Sequence, residues 1–314
     1  MTTYRTGVTG PFPRTEALVQ ATRDLDRGRI SPEAGEAAFV RAEAEVAAVE
    51  ERLALDARTG GYLRWPDLLR PFTEIWPEVS AGPLTRFFET NSFYRQPIVR
   101  SPPQGGRGRL GRWLPKGPNA RAILPGPYTF RRLAEVSYAP DMSNAPVAEI
   151  AAAMAAELLS LGPNVPPQVQ FQEPMLVYDP PSGESAEVVT AYRLLADALP
   201  NSEKLVWTYF GDAGPVLRLL GRLPVEVVGF DLFESTLDHA EKLSGHGIGA
   251  GVIDSRSTLA EEPAEVARLV RSAETTLGAS TVWLGPSPPL DLLPFNAAVE
   301  KLALLPALAE ELRR

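Results

Sequence analysis

The sequence predicts an α/β fold in which eight parallel strands close into a (β/α)8 barrel, the TIM barrel. Short apolar runs alternate with longer amphipathic stretches along most of the 314 residues, and this alternation is typical of a parallel sheet covered by helices. The short runs are nearly continuous in apolar residues, as strands buried on both faces are. An open doubly wound sheet is the alternative. The predicted strands are residues 5–9, 97–100, 121–124, 169–172, 205–209, 225–230, 248–253 and 281–284.

Two segments interrupt this alternation within what we predict to be one barrel domain, residues 1–314. Residues 14–58 have a helical pattern, and Ser31 followed by Pro32 is a typical N-cap and first-turn pair. We therefore predict a helical insertion after the first strand. Residues 101–119 are rich in Gly, Pro and Arg, which predicts an exposed loop or hairpin.

Composition limits the class of function. The formal net charge is −8, which argues against a nucleic-acid partner and against an anionic membrane surface. The first ten residues lack the apolar stretch of a signal peptide, and no window is apolar enough to span a bilayer. The chain has no Cys, so nothing indicates a disulfide-forming compartment. We predict a cytoplasmic protein that acts on a small molecule.

Polar residues that follow the predicted strands are the candidates for chemistry, because barrel active sites form at the carboxyl ends of the strands. Burial of Glu173 at such a position would raise the pKa of its carboxyl group into the range of a general acid. Asp231 and Asp254 follow two other strands and could orient a base or a hydroxyl group. We predict these three residues as catalytic. The alternative is that they cap helices and stabilise loops.

A second set of residues has the chemistry of a binding pocket. Arg14, Arg95 and Arg256 could clamp a carboxylate or a phosphate, or could instead form salt bridges between loops. Aromatic side chains could form a wall for a flat ligand or a cage for a methylated cation, or could be packed in the core, as we expect for Trp65. These aromatic residues are Tyr62, Trp65, Tyr94, Tyr128, Trp207 and Tyr209; of them Tyr94, Tyr128, Trp207 and Tyr209 are predicted to bind substrate. The other predicted substrate-binding residues are Asn91, Gln170, Gln172, Asp212 and Ser287.

Several short motifs occur in one order along nearly the whole chain: TGPFPR at 9–14, NSFYRQPIV at 91–99, LPGPYT at 124–129, QFQEP at 170–174, YFGD at 209–212, GVID at 251–254 and LGPS at 284–287. With these motifs the chain resembles the C-terminal catalytic barrel of cobalamin-independent methionine synthase and its short stand-alone relatives. The resemblance implies a barrel of the methionine synthase and uroporphyrinogen decarboxylase-like type. It also implies the transfer of a methyl group onto a thiolate.

The residues that bind zinc in that family are replaced here. The positions of its His and Cys ligands after the fifth strand align with Trp207 and Tyr209, that of its Glu with Asp231, and that of its last Cys with Pro288. A catalytic zinc needs about three protein ligands, so we expect no zinc. Neither histidine replaces a ligand, since His239 is predicted on a helix surface and His246 at the opposite face of the barrel.

The amino-acid pocket of the family is altered as well. Its Gly-Ser after the first strand is Gly10-Pro11 here, and the Asp that would bind the substrate ammonium group is Gln172, a weaker partner for a cation. An acidic residue near the second strand is replaced within residues 60–62, and a His after the seventh strand aligns with Arg256.

We therefore predict a methionine-synthase-like methyltransferase that lacks the zinc site. It would act on a small acidic or amino-acid-like substrate by metal-free acid–base chemistry, with a folate or a corrinoid as the methyl donor. A homodimer or a corrinoid-protein partner is possible within this prediction. The alternatives are a non-catalytic barrel that binds a folate or an amino acid, a lyase-type enzyme on the same scaffold, and a zinc enzyme with unorthodox ligands.

Overall fold

A parallel sheet forms the centre of the molecule in the computed structural model, which describes residues 2–138, 145–182, 185–237 and 240–314. Seven strands pair in one sheet, and every register within it is parallel. Within the described residues the strands are β1 (Thr3–Thr6), β2 (Val79–Arg86), β3 (Phe93–Val99), β4 (Arg121–Pro125), β5 (Glu135–Val136), β6 (Gln168–Gln172), β7 (Glu203–Trp207), β8 (Val227–Asp231), β9 (Gly247–Ile253) and β10 (Thr281–Pro286). The order in the sheet is β1-β10-β9-β8-β7-β6-β4.

A very short segment closes this sheet into a barrel. Ala57 forms a parallel bridge with Gly7 after β1, and Arg58 forms one with Ala120 before β4. The amide of Ala57 donates to Thr6 O at 3.0 Å, and the amide of Arg121 donates to Arg58 O at 2.8 Å. These two residues take the place of the eighth strand, so the predicted barrel is confirmed.

The predicted second strand, residues 97–100, is wrong as a barrel strand. Most of it belongs to β3, which pairs antiparallel with β2 and parallel with β5 in a separate three-stranded sheet. Buried and accessible residues alternate along β3, as they do in a strand with one solvated face. The true eighth strand has two residues, which is too short to produce an apolar run.

Helices surround the barrel and account for the predicted insertion. Thr15 and Ser31 are the N-caps of α1 and α2, and each side-chain oxygen accepts from a backbone amide of the first turn. Within the described residues the helices are α1 (Glu16–Asp26), α2 (Pro32–Arg52), α3 (Arg70–Ile75), α4 (Pro127–Leu133), α5 (Ala145–Leu159), α6 (Met175–Tyr178), α7 (Ala186–Ala198), α8 (Leu217–Leu220), α9 (Pro263–Leu277), α10 (Phe295–Leu302) and α11 (Leu304–Arg313).

The β2–β3 hairpin reaches over the carboxyl end of the barrel. At its tip, the Phe87 ring lies 6.3 Å from the ring of Phe210, which follows β7. The Phe88 ring lies 4.9 Å from that of Tyr178, at the end of α6. The segment 101–119 that follows the hairpin is irregular, with one short 3-10 turn at Arg109–Trp113, and it is anchored by the buried Leu110.

Large side chains fill the barrel interior. Trp207 and Trp283 are fully buried there, and a Cβ atom added at Gly229 or Gly249 would overlap the Trp207 ring. Near the amino ends of the strands, the guanidinium group of Arg121 stacks 4.0 Å from the Trp283 ring centroid. The interior is therefore a packed core, as is usual in this fold, and open space is found beside its carboxyl end.

Candidate functional site

Glu173 lies directly after β6, and its carboxylate caps a helix instead of facing a cavity. Its carboxylate accepts from the backbone amides of Tyr128 at 3.1 Å and Thr129 at 2.7 Å, which are the first free donors of α4, and from the Tyr192 hydroxyl at 3.2 Å. Burial raises the pKa of Glu173 to about 7, although these hydrogen bonds oppose the rise. The predicted acid is thus a fully enclosed cap of a helix N-terminus, and it does not line the cavity described below.

The other two predicted catalytic residues are held in one ion-pair cluster. Arg256 donates from Nε to Asp254 at 2.7 Å and from a terminal nitrogen to Asp231 at 3.4 Å, and it also pairs with Glu234. Asp231 is fully buried, and burial raises its pKa to about 7 against the opposing effects of the Phe233 amide and Arg256. Because Arg256 already serves three carboxylates, it is poorly suited to clamp an anionic substrate.

Three polar side-chain atoms near the carboxyl ends of the strands are buried without a hydrogen-bond partner: Gln172 Oε1, Trp207 Nε1 and Ser287 Oγ. Buried polar atoms are normally paired, so such groups call for an explanation. Gln172 and Trp207 are direct neighbours across β6 and β7. Of the three residues, Gln172 lines the neighbouring cavity.

That cavity, of about 100 Å³, lies between the hairpin and the barrel mouth, and we call it the aromatic cavity. Of the predicted aromatic wall, Tyr62, Trp65, Tyr94 and Tyr209 line it, whereas Trp207 fills the barrel interior and the Tyr128 hydroxyl donates to Asp179 O at 2.9 Å. The described lining residues are Pro11, Tyr62, Trp65, Pro66, Asp67, Leu68, Phe87, Ser92, Phe93, Tyr94, Ile123, Gln172, Tyr209, Phe210, Pro289, Asp291 and Leu292.

Sequence reasoning missed Asp291, a carboxylate that lines this cavity and two adjoining clefts. It has no ion-pair partner among the described residues, and surrounding protein raises its pKa to about 7 although the residue is accessible. The signal was available, because Asp291 follows the last barrel strand by five residues. Asp67, also missed, accepts from the amides of Leu69, Arg70 and Arg95.

Backbone conformation marks the same region. Outside glycine, positive φ occurs among the described residues at Ala54, Tyr62, Phe88 and Phe210, with φ of 48°, 54°, 53° and 66°. The last three are aromatic residues that line the aromatic cavity or the cleft beside it. Residues other than glycine rarely adopt this conformation, and such positions cluster at functional sites.

The remaining predicted binding residues are dispersed. Arg14 donates to Leu63 O at 2.9 Å and Trp65 O at 3.4 Å, and it lines a cleft that it shares with Asp291. Arg95 lies on β3 and donates to Gly82 O. Asn91 lines the cleft that contains Arg256. The Gln170 amide donates to Thr9 O, and Asp212 accepts from the amides of Gly214 and Thr236, so both stabilise loops.

The positions aligned with zinc ligands do not fit a zinc ion. Trp207 has no coordinating atom, Pro288 has no side-chain donor, and Asp231 is committed to Arg256 and the Phe233 amide. No cluster of three or more His, Cys, Asp or Glu side chains suited to a metal occurs in the described part of the chain. His246 contacts the Val225 and Gly221 carbonyl oxygens, and His239 lies outside the described residues.

Comparison with known proteins identifies the family. The family model described as "Cobalamin-independent synthase, N-terminal domain" matches residues 76–278, more than half of the chain. The chain belongs to the cobalamin-independent methionine synthase family. The predicted resemblance is thereby confirmed for the family. The matching model describes the N-terminal domain of the family, whereas the sequence motifs predicted a resemblance to its C-terminal catalytic domain.

Two relatives show how much of a family member this chain represents. The 5-methyltetrahydropteroyltriglutamate–homocysteine methyltransferase of Mycolicibacterium paratuberculosis is 33% identical over 205 residues, which are 61% of this chain and 27% of that protein. The protein of the same name from Nitratidesulfovibrio vulgaris is 28% identical over 243 residues, 69% of this chain and 31% of that protein. The chain thus spans less than a third of the length of these relatives.

Solved structures of the family share the fold over almost the full chain. A B12-independent methionine synthase from a Shewanella species, in complex with selenomethionine, has a TM-score of 0.75 at 16% identity and covers 99% of this chain and 97% of its own. A putative vitamin-B12 independent methionine synthase from Listeria monocytogenes has a TM-score of 0.73 at 15% identity, with 99% and 98% covered. Among the described residues, no helix is both long and apolar enough to cross a bilayer.

Proposed function

We propose that this chain is a methyltransferase that works without zinc and that one of its substrates binds in the aromatic cavity. One observation carries the proposal. The positions that the resemblance assigns to zinc are filled by the Trp207 ring and the Asp231–Arg256 pair, while the cavity beside them is lined by the Asp291 carboxylate, which has no ion-pair partner among the described residues.

The lining of the cavity favours one substrate class over the other that the sequence predicted. Among its described lining residues none is Lys, Arg or His, and two are Asp. Such a lining binds hydrogen-bond donors and positive charge, and it repels carboxylates. The proposed substrate therefore carries a positive charge, and this positive end, rather than a carboxylate, lies at Asp291.

The residues present supply positioning. Aromatic and proline side chains form most of the described cavity wall, and the accessible Asp291 carboxylate is shared with two adjoining clefts. Gln172 is held in place because its amide nitrogen donates to Thr9 O. Holding a reactant in one fixed orientation is a substantial part of the catalysis of group transfer.

Metal analysis combined with a methyl-transfer assay tests the proposal. Purified protein is expected to contain far less than one zinc per chain and to transfer a labelled methyl group from a methyl donor, methyl-folate among those offered, to a small thiol acceptor at a rate that chelators leave unchanged. Asp291→Asn is expected to lower this rate at least tenfold with an unchanged Tm. The matched control is Glu89→Gln, at the exposed hairpin tip.

Two results would contradict the proposal. Stoichiometric zinc, with activity lost on chelation, would show that unorthodox ligands exist. Tight ligand binding without any turnover would instead support a non-catalytic binding barrel, a reading that the packed Trp207 and the capping role of Glu173 favour.

A further inference from the structure

The aromatic cavity combines ring faces with negative charge in one small space. Its described lining includes seven aromatic residues, Tyr62, Trp65, Phe87, Phe93, Tyr94, Tyr209 and Phe210, together with two carboxylates. An apolar cavity of about 150 Å³ holds one benzene ring, so the 100 Å³ here suits a compact group of a few heavy atoms. At this size the cavity itself holds one functional group of a ligand.

The rings present faces in several directions. Tyr62 and Trp65 lie 4.8 Å apart at an interplanar angle of 77°, and Tyr209 and Phe210 are also 4.8 Å apart at 77°. The two pairs come from different parts of the barrel mouth, one after the short eighth strand and one after β7. In each pair the edge of one ring meets a face of the other, and the ring faces left uncovered can attract a positive group.

Charge in the cavity is also negative. The carboxylate of Asp67 is partly neutralised by three backbone amides and by Arg70 at 3.6 Å. Asp291 has no ion-pair partner among the described residues. The nearest arginines of the adjoining clefts are engaged, Arg256 with three carboxylates and Arg14 with two carbonyl oxygens. A positive ligand would therefore meet an unopposed carboxylate.

We infer that the aromatic cavity binds a methylated onium group, either trimethylammonium or dimethylsulfonium, with Asp291 as its counter-ion and Trp65, Tyr62 and Tyr209 as its cage. A primary ammonium group needs several hydrogen-bond acceptors, whereas an onium group has no N–H to satisfy and gains from contact with ring faces.

The onium group is the methyl donor in the proposed reaction, and this part of the inference rests on the proposed function. The C–S or C–N bond to the methyl group breaks, and the leaving thioether or tertiary amine keeps the electron pair. The sulfur of a small thiol acceptor forms the new C–S bond, and its proton passes to the solvent. The positively charged donor releases a neutral leaving group, so its departure needs neither an acid nor a metal.

Binding measurements with a matched pair of probes test the cage. Choline and 3,3-dimethylbutan-1-ol have the same shape, and only choline is charged. By titration calorimetry with the full chain, choline is expected to bind at least tenfold more tightly than the neutral alcohol. A dimethylsulfonium probe, dimethylsulfonioacetate methyl ester, is expected to bind like choline, and mass spectrometry with a thiol acceptor shows which onium group transfers its methyl.

Two variants separate the counter-ion from the cage. Asp291→Asn is expected to weaken choline about tenfold and to leave the alcohol unchanged, and Trp65→Leu is expected to weaken both probes. Glu89→Gln, which removes an exposed carboxylate near the cavity without touching its lining, is expected to change neither. Thermal unfolding of each variant confirms that the fold is intact.

Each possible outcome decides the inference. Equal affinity for the two probes, or an unchanged choline affinity in Asp291→Asn, would overturn it. Choline binding together with methyl transfer only from methyl-folate would keep the cage and overturn the donor role. Choline binding without transfer from any donor would keep the cage while the proposed function fails.

Discussion

The barrel mouth and the aromatic cavity lie side by side, but carboxylates are paired within the protein at the mouth and, in the part of the chain that the structure describes, one is left without an ion-pair partner in the cavity. At the mouth, Glu173 caps α4, and Arg256 binds Asp231, Asp254 and Glu234. In the cavity, Asp291 has no ion-pair partner among the described residues, and Gln172 Oε1 has no hydrogen-bond partner. The difference separates carboxylates that are already paired within the protein from one that can pair with a ligand.

The contrast has a physical basis in the cost of burial. A buried carboxylate without partners costs several kcal/mol, so a folded chain supplies donors to those that contribute only to stability. Gln172 Oε1, which is buried without a partner among the described residues, is retained at a cost in stability, whereas the Asp291 carboxylate is accessible and can pair with a ligand. The unpaired groups are thus the better candidates for function, although the paired ones are more prominent in the sequence.

The largest expected effect tests whether the interior beneath the mouth is truly filled. Gly249→Ala places a methyl group against the Trp207 ring, and overpacking in a closed core is costly. We expect the free energy of unfolding to fall by about 3 kcal/mol in urea titrations. A barrel interior that tolerated this change would be open enough to admit a ligand. The distinction between a filled interior and an open cavity would then be wrong.

A double variant controls for effects on the strand itself. Trp207→Leu removes the ring that the added methyl group meets, so Gly249→Ala should cost less in that background, and the remaining cost reflects the Gly229 Cα atom, which lies 2.7 Å from the added Cβ. Strictly additive losses would show that the contact with the Gly229 backbone, rather than with the Trp207 ring, sets the cost.

Sequence patterns predicted the barrel well because its long strands are buried on both faces and its insertion helices have clear caps. They failed where an element is only two residues long, and where the role of a side chain depends on residues far away in the sequence. Ala57 and Arg58 close the barrel with two residues, and no periodicity exists at that length. Whether Trp207 packs inward against glycines or faces a ligand depends on Gly229 and Gly249, which lie on other strands. The pairing of Asp231 with Arg256 is equally non-local.

A smaller effect, on the pH dependence of stability, tests the capping role of Glu173. Its pKa is raised from 4.5 to about 7 in the folded chain, so the folded state holds a proton that the unfolded state has released between these values. The stabilising contribution is fully present below pH 4.5 and is lost as the pH rises through about 7. Relative to Glu173→Gln, the native chain should lose on the order of 2–3 kcal/mol between pH 5 and pH 8.

Activity provides the control for that experiment. If Glu173 only caps α4, Glu173→Gln lowers the Tm and leaves KM and the pH profile of methyl transfer unchanged. A large fall in kcat at an unchanged Tm would return Glu173 to its predicted role as an acid, and the mouth would then share in the chemistry.

The smallest expected effect concerns the border between the two regions, at Tyr128. Its hydroxyl group donates to Asp179 O at 2.9 Å, and its ring does not line the aromatic cavity. Tyr128→Phe removes one partly buried hydrogen bond, which is worth about 1 kcal/mol of unfolding free energy, and the choline affinity should stay within twofold. The opposite pattern, an unchanged stability with a weakened ligand, would place Tyr128 in the cage as the sequence predicted. The cavity would then extend past α4 toward Glu173, and Glu173 would belong to the binding region rather than to the paired groups of the barrel mouth.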